Sequence, residues 1–197
     1  MMFTGITQAK GKVEQILQKN SHEVELKIAT VDAYFKDSKV GDSIMVDGVC
    51  LTITKVSSHS ALFDIMVPTF NTTTIRYFEV GTIVNLEKAI LVTERFDGHF
   101  VLGHVDGIAK VVRIEKISET ILISFQPIEP TLMKQIISKG SISISGVSLT
   151  VIQVKSTEFQ VGLIPVTLKN TNLSELTIGK YVNLETDILA KYITQRI

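Results

Sequence analysis

In this chain of 197 residues, the side chains best suited to chemistry come in pairs 98 positions apart. Cys50 pairs with Ser148, two small heads able to position or polarise a ligand. Thr52 pairs with Thr150, each four residues beyond a matched glycine, Gly48 or Gly146. Other pairs diverge: His104 stands against Ile6, Asp64 against Gly162 and Lys139 against Gly41. Similar walls carrying different titratable groups suit one kind of molecule held in two roles. His104 titrates near neutrality and is a candidate acid–base group. His99 lies five residues earlier, which on a strand points it to the opposite face and argues against a two-histidine metal site. His22 and His59 fall in polar, loop-like surroundings and carry no functional weight.

These pairs belong to an internal repeat. The same shift lays Ser43–Thr52 on Ser141–Thr150, Val84–Glu87 on Val182–Glu185, Gly5 on Gly103, Gly81 on Gly179, Thr69 on Thr167 and Thr73 on Thr171. Residues 41–90 against 139–188 give 16 identities without a gap. A single duplication of this period predicts paired globular domains rather than a solenoid.

Strand signals dominate each copy. Residues 43–56 alternate apolar and polar, rich in Ile, Val and Thr, with a break at Gly48; residues 141–154 do the same around Gly146. Residues 23–29, 61–67, 120–126, 158–164 and the segments ending in the two Val-Asn-Leu-Glu tetrapeptides read as further strands. The spacing predicts an all-β fold of two tandem six-stranded antiparallel barrels. Short helices are expected at 130–138, at the matching 32–38, and at 187–197, where Ile188, Leu189, Tyr192, Ile193 and Ile197 form one apolar stripe. The domains are drawn at 1–97, 98–186 and the terminal helix 187–197.

Charge and composition narrow the class. Twenty basic residues balance twenty acidic ones, so no basic field draws nucleic acid or an acidic membrane. The first residues lack a signal-peptide pattern, and no apolar run reaches the roughly 18 residues of a membrane span. With one cysteine and no Cys/His cluster at ligand spacing, neither a disulfide nor a metal centre is expected. A cytoplasmic protein is the expectation.

Residues 2–6 (Met-Phe-Thr-Gly-Ile), Gly48–Thr52, Gly98-His99-Phe100, Gly103–Gly107 and Gly146–Thr150, in this order and spacing, resemble the alpha-chain type of the riboflavin synthase family across essentially the whole sequence. That resemblance implies two similar barrels and a C-terminal helix joining three subunits into a homotrimer, and it admits lumazine synthase as a further partner. The implied reaction is a dismutation without metal or organic cofactor. Two molecules of 6,7-dimethyl-8-ribityllumazine exchange a four-carbon unit, giving riboflavin and 5-amino-6-ribitylaminouracil, at a site between the first barrel of one subunit and the second of a neighbour. Carried onto this chain, the first-barrel pocket takes Gly5, Ile6 and Thr7, Cys50, Leu51 and Thr52, and Asp64, Ile65, Met66, Val67, Pro68 and Thr69. The second takes Gly103, His104 and Val105, Lys139, Ser148, Leu149 and Thr150, and Gly162, Leu163, Ile164, Pro165, Val166 and Thr167. Phe3, Ser43, Cys50, His104 and Thr150 are the implied catalytic set: Phe3 to stack on a flat ring, and His104 with Thr150 to move the proton of the 7-methyl group. Pro68 and Val166 stand where many members carry Glu, Leu102 replaces a common Ser, and Asp97 a common Gly.

The main rival is a non-catalytic lumazine- or flavin-binding protein of the same fold. Such proteins lack the Gly-His-Val-Asp pattern and the first-barrel Cys, both present here. A flavin-dependent reductase would need a nucleotide-binding α/β segment with a glycine-rich turn, which this sequence does not contain.

Overall fold

The structure, a computed structural model, describes residues 2–194. Two closed barrels follow one another. The first comprises β1 (Ala9–Gln18), β2 (Glu23–Ala29), β3 (Ser43–Val46), β4 (Val49–Val56), β5 (Ser60–Met66) and β6 (Ile83–Lys88). The second comprises β7 (Gly107–Ile117), β8 (Thr120–Pro127), β9 (Ser141–Ile144), β10 (Val147–Val154), β11 (Phe159–Leu163) and β12 (Tyr181–Thr186). Their strand orders are the same cycle, β1-β2-β5-β4-β3-β6 and β7-β8-β11-β10-β9-β12. The repeat in sequence is therefore a repeat of topology.

Strand alternation builds each core. On β4, Val49, Leu51 and Ile53 face inward while Cys50 and Thr52 face out; on β10, Val147, Leu149 and Val151 face inward while Ser148 and Thr150 face out. Asp47-Gly48 and Ser145-Gly146, all at positive φ, close the β3–β4 and β9–β10 hairpins. These two turns meet between the barrels, and Asn85 and Asn183, matched residues of β6 and β12, tie them together. Asn85 Nδ2 donates to Ser145 O at 3.0 Å, and Asn183 Nδ2 donates to Asp47 O at 2.7 Å. The barrels are thus joined by mirrored bonds about a pseudo-twofold axis.

The strands expected at 23–29, 43–56, 61–67, 120–126, 141–154 and 158–164 are present within a residue or two, the two longer ones split at their hairpin turns. Helices are shorter than expected. Residues 130–138 hold only a 3-10 turn over Pro130–Gln135, begun by Glu129, whose side chain accepts from Thr131 N. Residues 32–38 form consecutive turns and no helix. Instead, two brief helices follow β5 and β11: α1 (Val67–Thr72) and α2 (Pro165–Asn170), each with proline in its first turn. The last helix, α3 (Ile188–Thr194), is held by an ion pair from Lys191 Nζ to Asp106 Oδ1 at 2.7 Å. Its Leu189, Tyr192 and Ile193 remain exposed; Ile197 lies outside the described residues. None of the described helices is long and apolar enough to cross a membrane.

Candidate functional site

Each barrel is preceded by a short leader, residues 2–8 and 98–106, and the two leaders cross. Phe3 and Val101 pair as an antiparallel bridge, with N–H to O distances of 2.8 and 3.2 Å. Beyond the crossing, each leader runs along the other barrel. Ser148 N donates to Gly5 O at 2.7 Å, and Cys50 N donates to Gly103 O at 2.9 Å. Only glycine fits at these contacts. Both residues have positive φ (79° and 73°), and a Cβ would lie 2.7 Å from Ser148 Cβ at Gly5 and 2.6 Å from Cys50 Cβ at Gly103.

A buried glutamate grips each leader from its own barrel. Glu87 on β6 accepts from Thr4 N (2.7 Å), Thr4 Oγ1 (2.9 Å) and Gly5 N (3.0 Å). Glu185 on β12 accepts from Leu102 N (2.7 Å) and Gly103 N (2.9 Å). Burial raises both carboxyls, Glu185 to about 7, and the backbone N–H bonds offset part of the rise. The leaders are therefore fixed strips of backbone, each pressed by its own barrel against the outer face of the other.

Two outer faces result. The first carries Cys50 and Thr52 of β4, bordered by Gly103-His104 of the second leader. The second carries Ser148 and Thr150 of β10, bordered by Gly5 of the first. This corrects the grouping expected from sequence: Gly5 lies with the second barrel's face, and Gly103 and the following His104-Val105 run along the first's, while Ile6 lines a hollow with Gln8, Glu87 and Ile90 on its own barrel's side. The cause is the leader crossing, which the order of residues along the chain conceals. It also separates His104 from Thr150, which border different faces of one chain.

The faces differ in electronics. Burial pushes the Cys50 thiol up, and its hydrogen bond with Ser43 draws it only partly down. Ser148 Oγ instead lies 2.7 Å from His99 Nδ1. Burial lowers His99, so its imidazole is neutral at neutral pH and able to accept from or donate to the serine. In sequence His99 stands only as a strand histidine opposite in face to His104. Only its mirror-breaking position beside Ser148 reveals it, and no spacing rule along the chain would have found it.

Several expected site residues sit elsewhere. Phe3 is fully buried in a small cluster with Met45 and Val101, against which Cys50 packs, so it cannot stack on a ligand; the leader bridge holds it inside. Ser43 is buried and acts on Cys50. Leu51, Ile65, Leu149 and Leu163 point into the barrel cores, because the expected ranges spanned both sides of alternating strands. Asp64 lies on the outer side of β5, paired with Lys19 Nζ at 2.8 Å, which also lies 3.3 Å from Glu25. Met66, Pro68, Ile164, Pro165 and Val166 are exposed at the starts of α1 and α2, with Val67, Thr69 and Thr167 half-buried in the same helices. Val105 packs on the first core, and Gly162 is half-buried on β11. Lys139 N donates to Val151 O at 2.8 Å, which sets it just before β9, against the middle of β10 beside Thr150. Thr7 Oγ1 is buried with no hydrogen-bond partner among the described residues. No group of three or more His, Cys, Asp or Glu is placed to hold a metal among those residues.

Comparison with known proteins agrees with this duplicated architecture. The lumazine binding domain model matches twice, over residues 4–89 and 102–187. The riboflavin synthase of Photobacterium phosphoreum is 40% identical over 193 residues, 98% of this chain and 87% of that protein. Those of Actinobacillus pleuropneumoniae (41%, covering 98% and 89%) and Bacillus subtilis strain 168 (40%, covering 98% and 88%) are similarly close. Among solved structures, LumP complexed with riboflavin superposes with a TM-score of 0.86 at 28% identity, covering 94% of this chain and 99% of that one. LumP complexed with 6,7-dimethyl-8-(1'-D-ribityl) lumazine gives 0.83 with the same identity and coverage.

Proposed function

The chain belongs to the lumazine-binding domain family, and from that premise we infer that it is a riboflavin synthase. It converts two molecules of 6,7-dimethyl-8-ribityllumazine into riboflavin and 5-amino-6-ribitylaminouracil by transfer of a four-carbon unit. The observation that carries this reading is the pair of mirrored outer faces, each walled by a β4 or β10 strand and a crossed leader. Two related faces suit two copies of one substrate, and their unlike polar groups suit unlike roles for donor and acceptor.

Supporting residues take these parts in the proposal. Backbone of the fixed leaders and the hydroxyls of Thr52 and Thr150 orient the rings. Cys50, a protonated thiol, positions a ring rather than attacking it. His104, exposed at the border of the first face, is assigned the transfer of the 7-methyl proton, which leaves a carbanion stabilised across the ring. In one chain Thr150 borders the other face. A face of one subunit against the opposite face of a neighbour brings the two together, and stacking two bound rings there supplies proximity. A homotrimer built through α3, the domain limits at 1–97, 98–186 and 187–197, a cytoplasmic setting and contact with lumazine synthase belong to the same proposal.

The resemblance to LumP favours a second reading, a ligand-binding protein without turnover. Purified protein given 6,7-dimethyl-8-ribityllumazine alone distinguishes them. Riboflavin fluorescence growing with time, in a ratio of one riboflavin per two lumazines consumed, supports the enzyme; tight binding without riboflavin overturns it.

A further inference from the structure

On the pseudo-twofold axis between the barrels lies a groove of about 380 Å³ that the lumazine faces do not use. Its polar floor is asymmetric. Asn172 Nδ2 donates to Asp47 Oδ1 (3.0 Å), Asp47 Oδ2 (3.2 Å) and Ile83 O (3.0 Å). The mirror positions hold Thr74 and Ser145, whose shorter side chains do not span the same gap. Thr74 Oγ1 is consequently buried, on a residue only 6% exposed, without a hydrogen-bond partner among the described residues. Buried hydroxyls are seldom left so, and this one lines the groove.

The rest of the lining indicates what would pair with it. Asp47 is 5% exposed and contributes a carboxyl to the floor. Glu175 adds a second carboxylate, and it is close enough to disfavour ionisation of Asp47. Lys180 also lies on the rim, outside ion-pair distance of any carboxylate among the described residues. Tyr77 and Tyr181, their rings stacked at 5.4 Å and 18°, form an aromatic side of the groove beside Phe78, Leu176 and Val182, and Arg76 Cζ lies 4.7 Å from the Tyr77 ring centroid. Two acceptor-bearing acids, an unpaired hydroxyl and an aromatic wall favour a flat ring with a cationic donor head.

We propose that this inter-barrel groove binds a small aromatic cation, an amidine or primary amine carried on a planar ring, independently of the lumazine faces. The head group sits between Asp47 and Thr74, and the ring lies along Tyr77 and Tyr181.

Titration of the isotope-labelled full-length protein with benzamidine, followed by amide chemical shifts, tests this. Expected are saturable shifts at Thr74, Tyr77, Asn172 and Tyr181. Thr74→Val breaks no bond of the folded protein and should weaken benzamidine at least tenfold, the loss of about one hydrogen bond; Tyr181→Leu should weaken it comparably. Riboflavin formation by both variants should match the unaltered protein. Shifts that are absent, that fall on other surfaces, or that survive both substitutions overturn the proposal. Equal affinity for benzyl alcohol overturns the cationic class.

Discussion

Burial lifts the Cys50 thiol above its ordinary range, and the Ser43 bond offsets part of that rise, so the residue is a thiol at neutral pH. Alkylation by iodoacetamide at pH 7.5 should therefore be slower than for a free cysteine, and Ser43→Ala should slow it further; faster alkylation would give Cys50 a nucleophile's environment instead. The buried acids make a second prediction. Asp47 and Glu185 each rise to about 7 when folded, from ordinary values of 3.8 and 4.5. The folded state then binds more protons than the unfolded one between those limits. Their contribution is full below the unfolded values and lost as pH rises through about 7. Thermal midpoints should fall from pH 5 to pH 8, and Asp47→Asn should flatten the slope. A midpoint that climbs over this range would contradict the assignment.

Among the elements, the crossed leaders matter most. Gly103→Ala places a Cβ against Cys50 at positive φ, and should cost about 3 kcal/mol of stability. It should also displace His104 and lower turnover at least tenfold, read by denaturant unfolding and riboflavin formation; an alanine variant of native stability and rate would mean the leader is not fixed. Much of this scale was legible in advance. Alternation marked most strands, and the repeated tetrapeptides marked β6 and β12, because half-buried strands write a period of two into the sequence. β1 and β7 carry no clear alternation: β1 is largely exposed along its length and β7 is exposed toward its far end, so charged and polar residues dilute their patterns. α1 and α2 are too short to show a helical period. The leader crossing was illegible for another reason. It rests on backbone bonds such as Gly5 to Ser148, which depend on glycine conformation and leave no periodic trace. Phe3 looked like a ring-stacking residue for the same reason, since its burial follows from the bridge to Val101.

For the whole molecule, two features point beyond one chain. His104 and Thr150 border different faces, and α3 leaves Leu189, Tyr192 and Ile193 exposed. The proposed trimer predicts that replacing these three by Ser gives a monomer in sedimentation and abolishes riboflavin formation while both barrels stay folded. A monomeric unaltered protein would remove α3 from assembly. The most direct measurement mixes two inactive variants. A His104→Ala chain keeps an intact second face, and a Thr150→Ala chain keeps an intact first. After joint unfolding and refolding, mixed assemblies should recover riboflavin formation that neither variant shows alone. Activity that stays absent in the mixture, while the unaltered protein refolded alongside remains active, would place both substrates on one chain and contradict the account.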